Sequence, residues 1–120
     1  MIYGVGVDMT EISRVEKACQ KDSFVRKVFT EREAELYGDK PAKLAAGFAA
    51  KEAFSKALGT GVRGFSLTDV ELLRDELGKP YYVFGGRAAE IAEEKKLTAH
   101  VSVTDENDLV VVFTVLETEN

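Results

Sequence analysis

The sequence predicts an α+β domain in which a largely antiparallel sheet is packed by one long central helix. Three observations carry that reading. Residues 44–58 contain no proline and no β-branched residue and are rich in Ala, Lys, Glu and Leu, which is helix composition. Ala46, Ala50, Ala53, Phe54 and Ala57 recur on one face of that helix, a surface of small side chains fit for close packing. Near the end, residues 99–104 alternate and 109–116 are strongly apolar, separated by the polar turn Asp105-Glu106-Asn107-Asp108, the pattern of an antiparallel hairpin.

Taken in order, Ile2 to Val7 alternates glycine with apolar residues and reads as a short strand with close backbone neighbours at Gly4 and Gly6. It is expected to end at Asp8, with a helix from about Thr10 to Gln20 turning Ile12 and Val15 inward. Asp8 and Glu11 have capping-box spacing, so Asp8 is either the N-cap of that helix or a functional carboxylate. Asp22 to Thr30 continues as a basic, partly helical segment anchored by Phe24, Val28 and Phe29. Thr30-Glu31-Arg32-Glu33 is a sharper capping box and starts a short helix to Tyr37. Pro41 opens the central helix, which runs to about Leu58 and stops at Gly59.

Gly59-Thr60-Gly61-Val62-Arg63-Gly64 has dinucleotide-binding spacing but follows a helix and precedes a strand, so it reads instead as a tight loop exposing backbone N–H groups. Ser66 to Arg74 and Tyr81 to Phe84 are expected strands flanking a turn at 75–80. Arg87 to Lys96 is the third main helix, with Glu90, Glu93 and Glu94 assigned to its start and Lys95 and Lys96 to its end. Glu117 to Asn120 is expected to be a frayed tail.

At 120 residues the chain makes one domain, spanning 1–120. A net charge of −5 argues against nucleic acid as a partner, and no apolar stretch approaches the roughly 20 residues that span a bilayer. The N-terminus carries no basic, signal-like region, and a single cysteine, Cys19, fits a reducing cytoplasm, where it serves as an inert packing residue. Residues 14–27 hold five basic side chains (Arg14, Lys17, Lys21, Arg26, Lys27) against two acidic ones, a local +3. That stretch is either a solvated helix face or the seat of a specific anionic partner.

One histidine and one cysteine make neither a zinc cluster nor a triad, and His100 in a strand is first of all a satisfied histidine. Carboxylates and lysines remain. Glu52 and Lys56 are four apart on a helix whose nearest turns are Ala and Phe, so they are either a routine ion pair or charges held near the core. Asp8 and Glu52 could offer Mg2+ the one or two carboxylates it takes, provided that the strand end meets the helix.

Three blocks then point to a family: Ile2-Tyr3-Gly4-Val5-Gly6-Val7-Asp8 with Glu11, Ile12 and Arg14; Phe48 to Ala57 with Gly59-Thr60-Gly61; and Gly78-Lys79-Pro80 with His100-Val101-Ser102. On these the sequence closely resembles the holo-(acyl-carrier-protein) synthases, small 4′-phosphopantetheinyl transferases. The resemblance implies the 4′-phosphopantetheinyl transferase fold and a place in fatty acid biosynthesis. It implies Mg2+-dependent transfer of 4′-phosphopantetheine from coenzyme A to a serine of apo-acyl carrier protein, releasing adenosine 3′,5′-bisphosphate.

By the same resemblance, Asp8 and Glu52 hold Mg2+, and Asp8, Glu52 and Lys56 are catalytic. Coenzyme A is contacted by Lys51, Lys56, Gly59, Pro80, His100 and Thr104, although Lys51 is equally suited to supporting the fold. Glu52 or a metal-held water takes the serine proton. Arg14, Lys17 and Lys21, on one helical face, dock the acidic carrier, and the assembly is a homotrimer with sites between subunits. Two positions depart from the pattern: many relatives have Arg where this chain has Gly47, and some have a second His where it has Asp105. Those departures leave the contacts to the 3′-phosphate and adenine open. The other readings are a non-catalytic module binding coenzyme A or an acidic partner, and another Mg2+-dependent enzyme acting on a nucleotide pyrophosphate.

Overall fold

The computed structural model describes residues 1–119. Its elements are β1 (Ile2–Glu11), α1 (Ile12–Ala18), α2 (Asp22–Val28), α3 (Glu31–Tyr37), α4 (Pro41–Leu58), β2 (Val70–Arg74), β3 (Pro80–Phe84), α5 (Gly86–Glu94), β4 (Leu97–Glu106) and β5 (Leu109–Thr118). All strand pairing is antiparallel, but the strands form two sheets: β1-β5-β4, and a separate ribbon of β2 and β3. The α+β architecture and the long central helix are as predicted. No helix among the described residues is long and apolar enough to cross a membrane.

The position of α4 follows from two glycines. Gly4, Gly6, Asp8 and Thr10 of β1 lie opposite Leu116, Thr114, Val112 and Val110 of β5, and those four β5 side chains are buried under α4. A Cβ added at Gly4 would stand 2.0 Å from the carbonyl oxygen of Ala57, and one at Gly6 would stand 2.0 Å from that of Ala53. The strand backbone therefore touches the helix backbone, and Ala46, Ala49, Ala50, Ala53 and Ala57 are all buried along the helix. Phe54 and Leu58 close one end of the core with Phe65, Val70 and Leu116, while Leu44 joins Val15, Val28 and Phe29 at the other.

Several boundaries differ from expectation. β1 continues past Asp8 to Glu11, because β5 is long enough to pair with it throughout. Asp8 is thus a strand residue and caps nothing. The first N–H groups of α1 are satisfied across the molecule, Ile12 by the Asp108 carbonyl at 2.8 Å and Ser13 by the Asp108 carboxylate at 3.0 Å. Ser66 to Asp69 is a capped single turn of 3₁₀ helix at Leu67–Asp69, so the strand begins only at Val70. α5 ends at Glu94, which puts Glu93 and Glu94 at its C-terminus and Lys95 and Lys96 outside it; Lys96 takes φ 55°, left-handed backbone that stops the helix. Glu117 and Thr118 belong to β5 rather than to a frayed tail, and Asn120 lies outside the described residues.

The Thr30 capping box is present in both its bonds, and its Glu33 has a further role. Lys51, completely buried, donates to Glu33 Oε1 at 2.8 Å, to the Leu67 carbonyl at 3.1 Å and to the Val70 carbonyl. Glu33 Oε2 accepts from the Leu72 N–H at 3.2 Å, so one buried ion pair ties α3, α4 and the start of β2 together. Burial pulls the Lys51 ammonium down while the Glu33 carboxylate opposes that effect. With its donors engaged in the interior, Lys51 is a fold residue here and its ammonium does not reach a solvent-borne phosphate. Gly47 belongs to the same place: a side chain there would meet the Phe29 ring at 3.3 Å and Glu33 Oε2 at 3.7 Å.

Seating α4 on β1 through glycine is directly testable. Gly6→Ala drives a methyl into a backbone carbonyl, and neither backbone can yield without shifting. The expected cost is about 1–3 kcal/mol or more, read as a lower urea midpoint at unchanged slope. A midpoint equal to that of the parent chain would mean that the helix does not sit on this strand.

Candidate active site

Side chains alternate along a strand, so the face of β1 that presents Gly4 and Gly6 to α4 also presents Asp8. Gly6 lies against Ala53, and Asp8, two residues on, comes within reach of the Lys56 ammonium and of the field of Glu52. The strand end meets the helix.

Lys56 Nζ donates to the Val7 carbonyl at 2.9 Å and to Asp8 Oδ1 at 3.2 Å, while Asp8 Oδ2 accepts from the Thr10 hydroxyl at 2.7 Å. The Asp8 side chain is only 15% exposed, whereas that of Lys56 is 54% exposed, so the carboxylate sits at the edge of the core and the ammonium reaches it from the solvent side. Lys56 thus turns to β1 for its ion pair instead of to Glu52, which it reaches through its field. Glu52 is half-buried, and burial together with the negative charge of Asp8 raises its pKa, with Lys56 opposing. Two carboxylates near enough to repel one another at the edge of the core form an arrangement that a cation relieves.

That donor set fits Mg2+, a hard cation that takes one or two carboxylates and completes its shell with water and substrate phosphates. Among the described residues no group of three or more His, Cys, Asp and Glu side chains gathers. Glu52 opens on a cleft of about 610 Å³ lined also by Arg26, Lys27, Val62, Phe65 and Ser66. The loop from Gly59 forms part of its rim. Gly59 itself closes α4 with φ 84°, its N–H donating to the Ser55 and Lys56 carbonyls at 3.2 and 3.0 Å, so this glycine serves as the helix cap.

The remaining predicted coenzyme A residues lie apart. His100 and Thr104 pair in register with Val115 and Val111 of β5, residues that in turn oppose Val5 and Met9 of β1. They therefore occupy the outer face of the main sheet, away from Asp8 and Glu52. His100 Nε2 meets Glu117 Oε1 at 2.6 Å. Thr104 borders a second cleft, about 510 Å³, with Lys40, Lys43, Arg74 and Asp105. Pro80 begins β3, paired to Arg74 of that cleft. Lys43 is pulled down by burial and by the neighbouring positive charges of Arg74 and Lys40. This convergence of cations had no signal in the sequence, since Lys40 and Lys43 open a helix while Arg74 sits on a strand. Thr10, which holds the second oxygen of Asp8, was equally silent there.

Arg14 and Lys17 are exposed on α1, but α1 stops at Ala18, and Lys21 precedes α2 instead of extending the same helical face. The three cations converge nonetheless: with Ala18, Gln20 and Phe24 they line one open cleft of about 420 Å³. Cys19, at the end of α1, packs half-buried against the core, and burial raises its thiol pKa, as suits a packing residue.

Comparison with known proteins gives a consistent result. The model of the 4′-phosphopantetheinyl transferase superfamily matches residues 4–114. The holo-[acyl-carrier-protein] synthase of Lachnoclostridium phytofermentans is 43% identical over 118 residues, covering 98% of this chain and 97% of that one. The crystal structure of holo-[acyl-carrier-protein] synthase from Neisseria meningitidis superposes with a TM-score of 0.90 at 34% identity, covering 98% of this chain and 100% of that one. A holo-(acyl-carrier-protein) synthase from Bacillus anthracis, solved in complex with CoA (3′,5′-ADP), gives 0.81 at 33% identity with 99% of both chains covered. Matched by the family model over most of its length and by relatives over nearly all of it, the chain belongs to the 4′-phosphopantetheinyl transferase superfamily.

Proposed function

We propose that this chain is a holo-acyl-carrier-protein synthase, transferring 4′-phosphopantetheine from coenzyme A to a serine of an apo-acyl carrier protein. The observation that carries this is the meeting of Asp8 on β1 with Glu52 and Lys56 on α4, in a chain of this family. Phosphoryl transfer asks for positioning and for neutralised phosphate oxygens more than for covalent help from the protein. Asp8 and Glu52 would hold Mg2+, which when bound offsets charge on the pyrophosphate oxygens. Lys56, exposed and cationic beside them, would bind a phosphate oxygen and offset the charge that develops there.

The serine oxygen forms a new bond to the phosphorus that bears pantetheine, and the phosphorus–oxygen bond to adenosine 3′,5′-bisphosphate breaks. Glu52, or a water held by the metal, would take the serine proton. Lys43 and Arg74, which share a cleft with Thr104, would offer positive charge to the 3′-phosphate.

We further propose that the enzyme works as a homotrimer, in the cytoplasm, with each site shared between neighbours. Two features support a symmetric assembly. The outer face of the main sheet is apolar and open, with Val5 54%, Val7 52%, Met9 64% and Phe113 45% exposed, which is more than a lone domain leaves bare without reason. The second is the placement of His100 and Thr104 on that face, where they would serve a site of an adjoining copy rather than their own.

Incubation with apo-acyl carrier protein, coenzyme A and Mg2+, followed by intact mass, tests the activity: a gain of one phosphopantetheine unit is expected, and no gain on any plausible carrier overturns the reading. Glu52→Gln should abolish transfer. Because the Glu52 pKa is raised on folding, the stability tied to its proton is present below the unfolded pKa and lost as pH rises through the folded one. Ionised Glu52 therefore costs the metal-free protein stability at neutral pH. Glu52→Gln without metal should accordingly melt at the same temperature as the parent or higher; a lower melting temperature contradicts the strained pair. Arg14→Glu should raise KM for the carrier more than for coenzyme A, since it reverses charge in the Arg14–Lys21 cleft; equal effects on both substrates would remove that cleft from docking.

A further inference from the structure

Both carboxylate oxygens of Asp8 are hydrogen-bonded, each through one of its two lone-pair sites. Oδ2 is held by the Thr10 hydroxyl at 2.7 Å, and Oδ1 by the Lys56 ammonium at 3.2 Å. The same ammonium is steadied by the Val7 carbonyl at 2.9 Å. Thr10 is a neutral donor, buried and immobile, and it leaves the carboxylate charge intact. Lys56 is different: it is a cation, mostly exposed, on a flexible stem. It also lowers the Glu52 pKa and so offsets part of the repulsion between the two carboxylates.

From this geometry we infer that Lys56 is a built-in competitor for the metal position: its ammonium stands in for the divalent cation on Asp8 and must leave Oδ1 when that cation binds. Sharing Oδ1 would bring an ammonium and a divalent cation to within reach of one oxygen, where like charges repel. Lys56, more than half exposed, is therefore displaced toward solvent, the side from which a phosphate arrives. One side chain then does two things in sequence, holding the carboxylates together in the empty site and meeting the phosphate once the site is filled. Loading becomes an exchange of cations on a fixed carboxylate. Phosphate-bearing substrate favours the exchange by giving the released ammonium an anion of its own.

The inference rests on the two-carboxylate metal site proposed above, and the test separates the two. Mn2+ binding to the substrate-free protein is measured by electron paramagnetic resonance or calorimetry for the parent chain, Lys56→Met and Lys56→Arg. Far-UV circular dichroism below the melting temperature of each variant checks that the fold is kept. Removing the competitor should tighten Mn2+ binding by about threefold or more, the scale of a part-exposed ion pair, while Lys56→Arg keeps the charge and stays near the parent. Lys56→Met with unchanged or weaker Mn2+ binding overturns the competition while leaving the metal site standing. Binding in neither the parent nor Lys56→Met removes the metal site, and the inference with it.

Discussion

Direct backbone contact between β1 and α4 sets everything else in this molecule. Helices normally stand off a sheet by the depth of the side chains between them; here Gly4 and Gly6 remove that layer on the strand, and a run of alanines thins it on the helix. The gain is position. A charged pair formed by a strand residue and a helix residue needs the two backbones close, because neither Asp nor Glu has the reach to bridge an ordinary helix–sheet gap while both stay ordered. Asp8, two residues past Gly6 on the same strand face, is carried within reach of the Lys56 ammonium and the field of Glu52.

The same helix carries two lysines with opposite fates, and burial separates them. Lys51 is sealed inside with a carboxylate and two carbonyls, so that its charge is spent on holding α3 and β2 to α4. Lys56, five residues on, lies about 140° further round the cylinder and emerges into solvent beside Asp8. Glu52, between them, has its pKa raised first by burial and then by Asp8, with Lys56 opposing.

What could be read from the sequence followed from local rules with few competitors. The central helix, its Pro41 start and Gly59 stop, the Thr30 cap and the terminal hairpin each rest on nearby residues, and all are present. Readings failed where a distant partner overrode a local preference. Asp8 has cap spacing, yet β5 extends the strand through it and Asp108 takes the capping role from the far side of the molecule. The acidic residues of α5 were expected at its start, but left-handed backbone at Lys96 fixes where the helix ends. The period of two placed His100 and Thr104 on one face of β4 without saying which face α4 covers. Lys51 was undecidable for the same reason, since Glu33 and the carbonyls that bury it come from segments 18 and 16 to 19 residues away.

The central claim is that one divalent cation is shared by a strand carboxylate and a helix carboxylate. The most direct measurement is a crystal structure with Mn2+ in place of Mg2+, with the metal located by its anomalous scattering. A single peak is expected on the order of 2 Å from an oxygen of Asp8 and an oxygen of Glu52, with the Lys56 ammonium moved off Asp8. A peak bound by only one of the two carboxylates, or lying elsewhere in the molecule, would contradict it.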